Sequence, residues 1–247
     1  MRQEPADDTD FGFARVTRAE KARRVRQVFD SVARRYDVMN DLMSGGLHRL
    51  WKGALIDWLR PRPGMRILDC ACGTGDVALR LAPLVGRAGS VVALDINASM
   101  LARGTARPHG GRVDWLVGDA QRLPFADRSF DAYTIAFGIR NCSDLDAVLA
   151  EALRVLRPGG RFLCLEFSRL ELPHLAALYD RYSLRFVPWL GQQVAKDGAA
   201  YRYLVESIRR FPGRQAFAAR IAAAGLAQVA HRDLAGGIAA LHSAWRI

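Results

Sequence analysis

No run of apolar residues in this chain is longer than about a strand, far short of the roughly 20 needed to cross a bilayer, so no membrane-spanning segment is expected. Residues 1–10 are polar and acidic and lack the apolar stretch of a secretory signal, which points to the cytoplasm. Cysteine is scarce. Cys70, Cys72, Cys142 and Cys164 contain no C-x-x-C pair and no histidine at metal-ligand spacing, so they read as reduced core residues and no metal is expected. Lysine is scarcer still, at three (Lys21, Lys52, Lys196) of 36 basic residues. The net charge of +11 would suit nucleic acid or an acidic lipid surface. Against nucleic acid stand the absence of an RNA-binding motif and of basic residues interleaved with aromatics. Weak attraction to acidic lipid is the simpler expectation, and the arginine bias also fits genome composition. Repeats and low-complexity linkers are missing too.

What is present begins at residue 66. Arg66–Asp76 reads as a buried strand, a glycine turn and the start of a helix, and Asp95 closes the next strand. Gly73 and Gly75 can adopt backbone angles that bring the main chain close to a ligand. Asp95, 20 residues beyond Gly75, can accept hydrogen bonds from both hydroxyls of a ribose. The pair predicts an adenosine-containing ligand. Gly73 to Ala78 also fits the dinucleotide pattern, but a pyrophosphate wants a bare or basic helix start, and here Asp76 occupies it with Asp69 just before the loop. Two carboxylates favour S-adenosylmethionine, which carries an ammonium and a sulfonium and no phosphate.

The 247 residues alternate strand and helix from residue 64 onward, which predicts a single α/β domain. Strands are expected near 66–71, 90–95, 113–117, 131–136 and 161–167, and helices near 76–85, 98–107 and 144–156. A parallel sheet with helices on both faces follows. Pro158-Gly159-Gly160 reads as a turn between the last helix and strand. A helix over 214–224 and strands over 227–233 and 238–246, split by Gly236-Gly237, give an antiparallel pair at the sheet edge. Before the core, residues 18–36 place Ala22, Val25, Phe29, Val32 and Tyr36 on one helical face, a pattern that serves core capping or membrane docking. Residues 36–52 read as a lid or substrate segment leading into a helix over 48–59. The aromatic-rich stretch 171–211 reads as a helical insertion for substrate.

The chain resembles the C-methyltransferases of ubiquinone and menaquinone biosynthesis. The resemblance covers nearly all of it and rests on Tyr36–Asp41 with Ser44, His48 and Trp51, on Phe137–Asn141, on Leu165–Ser168, on Tyr201–Ile208 and on Gly236–His242. It implies a class I methyltransferase fold, with a Rossmann-like, mostly parallel sheet and an antiparallel C-terminal edge strand. The implied organisation is an N-terminal helical lid (1–60), a cofactor core (61–168), a helical substrate insertion (169–212) and a C-terminal helix with a strand pair (213–247). The implied substrate is a polyprenylated benzoquinol or naphthoquinol. Partners implied with it are the membrane periphery on the cytoplasmic side or a quinone-biosynthesis complex, and a homodimer.

The resemblance assigns cofactor contacts to Thr74, Asp95, Asp119 and Ala120, alongside Asp69, Gly73 and Gly75 of the loop. Many members carry a serine where this chain has Ala136, so a hydroxyl contact is lost there. Ring methylation needs an electron-rich carbon aligned with the sulfonium methyl and a phenol relieved of its proton. Arg140 and Asn141, at the carboxyl end of the fourth core strand, are placed to do this: Arg140 would steady the phenolate or order a water, and Asn141 would orient it. Tyr36, Asp37, Asp41 and Tyr182 are candidate substrate contacts. Each has a plainer reading, Arg140 as a surface salt bridge, Tyr36, Asp37 and Asp41 as helix-end polar groups, and His48 and His242 as packed histidines. Two other functions compete, a nucleic-acid methyltransferase on charge and a non-catalytic scaffold. The aromatic insertion argues against the first, and the intact Arg140-Asn141 pair against the second.

Overall fold

The computed structural model describes residues 8–32, 41, 44–168 and 198–247. Strands β1 (Asp8–Phe11) and β2 (Ala14–Thr17) form a hairpin leading into helix α1 (Arg18–Val32). Then come α2 (His48–Leu59), β3 (Arg66–Cys70), α3 (Asp76–Val85), β4 (Ser90–Asp95), α4 (Ala98–Thr105), β5 (Asp114–Val117) and β6 (Phe130–Ala136). The chain closes with α5 (Leu145–Val155), β7 (Leu156–Phe167), α6 (Gly198–Arg210), α7 (Arg214–Ala223), β8 (Ala227–Leu234) and β9 (Ala239–Trp245).

Seven strands pair in the order β5-β4-β3-β6-β7-β9-β8. The first five run parallel, and β9 lies antiparallel to both β7 and β8. Strand order reverses between β3 and β6, the switch point at whose carboxyl end open α/β sheets hold ligands. Period-two alternation sends neighbouring side chains to opposite faces. Ile67 and Leu163 join a core with α2 and α3, whereas Leu68, Tyr133 and Phe162 join one with α5 and α7. Burying a side chain such as Phe217 contributes about 1.5–3 kcal/mol.

The expected core elements are present with shifted ends. The helix after Asp95 stops at Thr105, and α5 starts at Leu145 because the Asp144 side chain accepts from the backbone N–H of Asp146 and Ala147. The hairpin at residues 8–17 was not expected from its polar sequence; it is held from outside, with the Phe13 N–H donating to Glu206 and Phe11 stacked on Tyr203. Nor does β7 begin at residue 161. Leu156 already pairs with Phe130, so the Pro-Gly-Gly turn becomes an irregularity inside the strand, with Gly159 at φ +77° and hydrogen bonds to Arg246 on either side.

Candidate active site

The turn between β3 and α3 carries positive φ at Ala71, Gly73 and Gly75. Its two glycines serve different ends. A side chain on Gly75 would overlap the Trp115 ring, so this residue is required by packing. Gly73 lines a cavity, and its N–H donates to Asp95 Oδ2 at 2.8 Å. The Asn97 N–H donates to Asp95 Oδ1, also at 2.8 Å. Burial pushes the Asp95 carboxyl up, and these main-chain donors oppose the shift. Each carboxylate oxygen keeps a lone pair for a ligand.

Asn97 ties three elements together. Its Oδ1 caps α4 through the Met100 N–H, its N–H meets Asp95, and its Nδ2 donates to Asp30 of α1 at 2.8 Å. Helix α1 is thereby pinned over the cavity, where Ala22, Val25 and Phe29 form an apolar wall. Gly118, Asp119 and Ala120 after β5 line it from the β5 side, Phe137, Gly138 and Asn141 after β6 from another, and the whole encloses about 780 Å³ with its open mouth included. Asp119 is fixed by its own turn, accepting from the backbone and side chain of Gln121.

Five of the expected residues, Gly73, Asp95, Asp119, Ala120 and Asn141, therefore meet in one cavity. Others lie beside it. Asp69 is fully buried beneath the loop, with one oxygen on Thr134 Oγ1 at 2.8 Å and the other on the Ala78 N–H at 3.1 Å; burial pushes its carboxyl up to about 7. Asp69 and Thr74 border a small crevice together with Lys52, Asp76 and Ala136, and Arg107 donates to both Thr74 oxygens. Asp76 is surrounded by cations, Lys52 at 3.0 Å, Arg80 at 3.4 Å and Arg107 at 3.5 Å. Burial alone would raise its carboxyl, but these neighbours outweigh burial and hold it below the usual value. Contrary to expectation, Asp69 and Asp76 do not present two free charges to a ligand, and the choice of cofactor rests on kinship instead.

Arg140 is neither on the surface nor on the cavity wall formed by Asn141. It is buried and donates from Nη1 to Glu166 Oε1 and to the Phe137 carbonyl, each at 2.6 Å, with its guanidinium 5.5 Å from the centre of the Phe167 ring. Its Nε has no partner among the described residues. Glu166 also accepts from the Phe167 N–H; burial raises its carboxyl against the pull of Arg140. Asn141 Oδ1 accepts from the Tyr203 hydroxyl at 3.1 Å.

Of the substrate candidates, Tyr36, Asp37 and Tyr182 lie outside the described residues. Asp41 accepts from His48 Nε2 at 2.9 Å and from Arg49 at 2.9 and 3.2 Å, so it is tied to α2, and it does not line the cavity. His48 is packed, and burial lowers its pKa in spite of Asp41. His242 is likewise packed, donating from Nε2 to the Arg214 carbonyl beside the Phe217 ring. Sequence reading missed Lys52, Glu166 and Tyr203 as parts of the site. A signal for Lys52 existed: it sits on the buried stripe His48, Trp51, Leu55, Ile56, Leu59, where an unpaired lysine would be too costly. Among the described residues no helix is long and apolar enough to cross a membrane, and no cluster of side chains could hold a metal.

The comparisons with known proteins agree with this geometry. The model of the ubiE/COQ5 methyltransferase family matches residues 17–246. The chain is 60% identical over 245 residues to a ubiquinone/menaquinone biosynthesis C-methyltransferase UbiE of Methylobacterium nodulans, covering 97% of each chain. It is 52% identical to the protein of the same description in Dinoroseobacter shibae, over the full length of both. Among solved structures, a SAM-dependent methyltransferase from Aquifex aeolicus shares the fold at a TM-score of 0.61 and 17% identity, covering 85% of this chain and 97% of its own. The residues around the cavity fit such a cofactor, since Asp95 and Asp119 offer acceptors between apolar walls. The chain thus belongs to the ubiE/COQ5 methyltransferase family and is an S-adenosylmethionine-dependent C-methyltransferase.

Proposed function

We propose that the protein methylates the ring carbon of a polyprenylated benzoquinol or naphthoquinol. One observation supports this reading above others: a single cavity joins the adenosine-type contacts Gly73, Asp95 and Asp119 to Phe137 and Asn141, with the buried Arg140–Glu166 pair directly behind them. In this reading Asp95 takes the ribose hydroxyls, Asp119 and Ala120 meet the adenine, and Gly73, Thr74 and Gly75, underpinned by Asp69, shape the loop around the methionine end. Bound S-adenosylmethionine supplies an electrophilic methyl group on sulfur. Asn141, braced by Tyr203, orients the phenol hydroxyl of the acceptor. Arg140 does not line this cavity; tied to Glu166 and to the Phe137 carbonyl behind its wall, it would act through its charge, steadying the developing phenolate or a water that takes the proton. Alignment of the two reactants contributes about 7–11 kcal/mol to such a reaction, and a positioned proton acceptor typically 10²–10⁴-fold.

Residues 169–212, including Tyr182, and the segment holding Tyr36, Asp37 and Asp41 are assigned to the substrate side of this single domain, between the lid and the cofactor core. A prenyl tail gains about 0.8 kcal/mol per CH₂ removed from water, so the protein is expected to work in the cytoplasm while visiting the inner membrane face or a quinone-biosynthesis complex, alone or as a homodimer. The names of the relatives mention both ubiquinone and menaquinone, which supports either ring. The test is methyl transfer from isotopically labelled S-adenosylmethionine to reduced benzoquinols and naphthoquinols that lack the ring methyl, read by mass spectrometry. Label on a ring carbon of at least one class is expected. Transfer to neither, by protein that binds the cofactor, would overturn the substrate assignment.

A further inference from the structure

At the opposite end of the sheet, where the parallel strands begin, lies a second and larger cavity of about 1130 Å³ with its open mouth included. Strand β3 has 5 residues at roughly 3.3 Å each, so about 17 Å of sheet separates it from the cofactor cavity. Arg60, Arg62, Arg161 and Arg232 line it, with the indoles of Trp58 and Trp245. The Arg161 guanidinium lies 5.4 Å from the centre of one indole and 4.9 Å from the other, and Arg232 lies 4.2 Å from that of Trp58. Arg161 is further fixed by donating to the Trp58 carbonyl and to Ser243 Oγ.

The missing element is a counter-charge. Many arginines of this chain, such as Arg18, Arg107, Arg140, Arg154 and Arg220, pair with a carboxylate. Among the described residues, Arg60, Arg62, Arg161 and Arg232 have no such partner. The one acid on the cavity wall, Asp131, is already taken by Arg157 at 2.9 Å and by the Arg66 N–H at 2.7 Å. Burial, followed by repulsion from Arg232 and Arg60, lowers the pKa of Arg161, and no carboxylate opposes that shift. Folding therefore gathers like charges that repel one another, held in place by aromatic faces. Forked guanidinium groups match the oxygens of a phosphate.

We propose that this cavity is an anion site for a phosphate or pyrophosphate group, carried by a small soluble phosphate ester or by an acidic phospholipid headgroup. A nucleic-acid strand fits less well, because its bases need free aromatic faces and guanidinium groups already lie over both indoles.

The test is calorimetric titration of the full chain with inorganic pyrophosphate, comparing wild type with Arg60→Asn/Arg232→Ser. Asn tolerates the left-handed backbone at position 60, where φ is +54°. Saturable binding is expected, weakened at least tenfold in the double variant while S-adenosylmethionine binding stays at the wild-type level as the check on folding. The exposed Arg62→Ser should weaken it at least threefold and serves if the double variant does not fold. Absence of saturable binding, or equal binding by the variants, overturns the site. Co-sedimentation with phosphatidylglycerol and phosphatidylcholine vesicles then separates the sources. Retention on phosphatidylglycerol that pyrophosphate competes away assigns a lipid headgroup; pyrophosphate binding without retention assigns a soluble ester. Retention that pyrophosphate leaves untouched would mean diffuse surface attraction, overturning the lipid headgroup as the source and leaving a soluble ester.

Discussion

The two halves of the proposed active site hold their charges in opposite ways. In the cofactor half, Asp95 is fixed by the main-chain N–H groups of Gly73 and Asn97, neutral donors that orient the carboxylate and leave it able to accept more. In the acceptor half, Arg140 and Glu166 are buried against each other, and each is the other's main electrostatic support. The difference separates binding from folding. In the proposed reading, removing a side chain from the first half takes away a ligand contact, whereas removing one from the second strands a charge in the core.

The largest expected effect follows from that. Arg140→Ala leaves Glu166 buried without its partner and should cost about 3–5 kcal/mol of stability, together with turnover. Replacing both residues, as Arg140→Met/Glu166→Leu, should recover most of the stability, read by urea denaturation, without recovering methyl transfer. Recovery of both would make the pair a structural element and would remove Arg140 from the chemistry.

Asp95→Ala is expected to weaken S-adenosylmethionine binding by about 1.5–3 kcal/mol, as for hydrogen bonds lost to a charged group. Calorimetry measures this, with thermal unfolding as the control. A folded variant of unchanged affinity would erase the contrast between the halves.

A smaller effect is expected at His242, which is buried between the Arg214 carbonyl, the Phe217 ring and the His231 ring. Burial depresses its pKa from 6.5 to about 4, so the folded protein favours the neutral ring. The folded state thus binds fewer protons than the unfolded one between these values, and the stability contributed by the neutral ring is present above pH 6.5 and lost as pH falls toward 4. The slope for one proton is at most about 1.4 kcal/mol per pH unit. His242→Gln should flatten the stability profile over that window, measured by denaturant titration at several pH values. An unaltered slope would place the acid sensitivity elsewhere.

The sequence by itself determined the parallel sheet, the glycine loop, Asp95 and the turn carrying Asp119 and Ala120, because these depend on local periodicity and on residues about 20–25 positions apart in successive strand–turn units. It also determined the family, through segments such as Phe137–Asn141 whose spacing the sequence displays directly. Only the tertiary structure decided what the charges do. Asp76 has the helix-start position that suggests a ligand contact, yet its partners arrive from α2, α3 and the turn after α4. Arg140 has the sequence of an active-site residue, yet its guanidinium points to an acid on the neighbouring strand. Gly75 has the look of a ligand-facing glycine, yet Trp115 fills the space above it. The physical reason is common to all three: backbone pattern follows from short-range sterics and burial, which a linear sequence records, but what a charge or a bare backbone position faces depends on which groups the fold carries within about 4 Å of it.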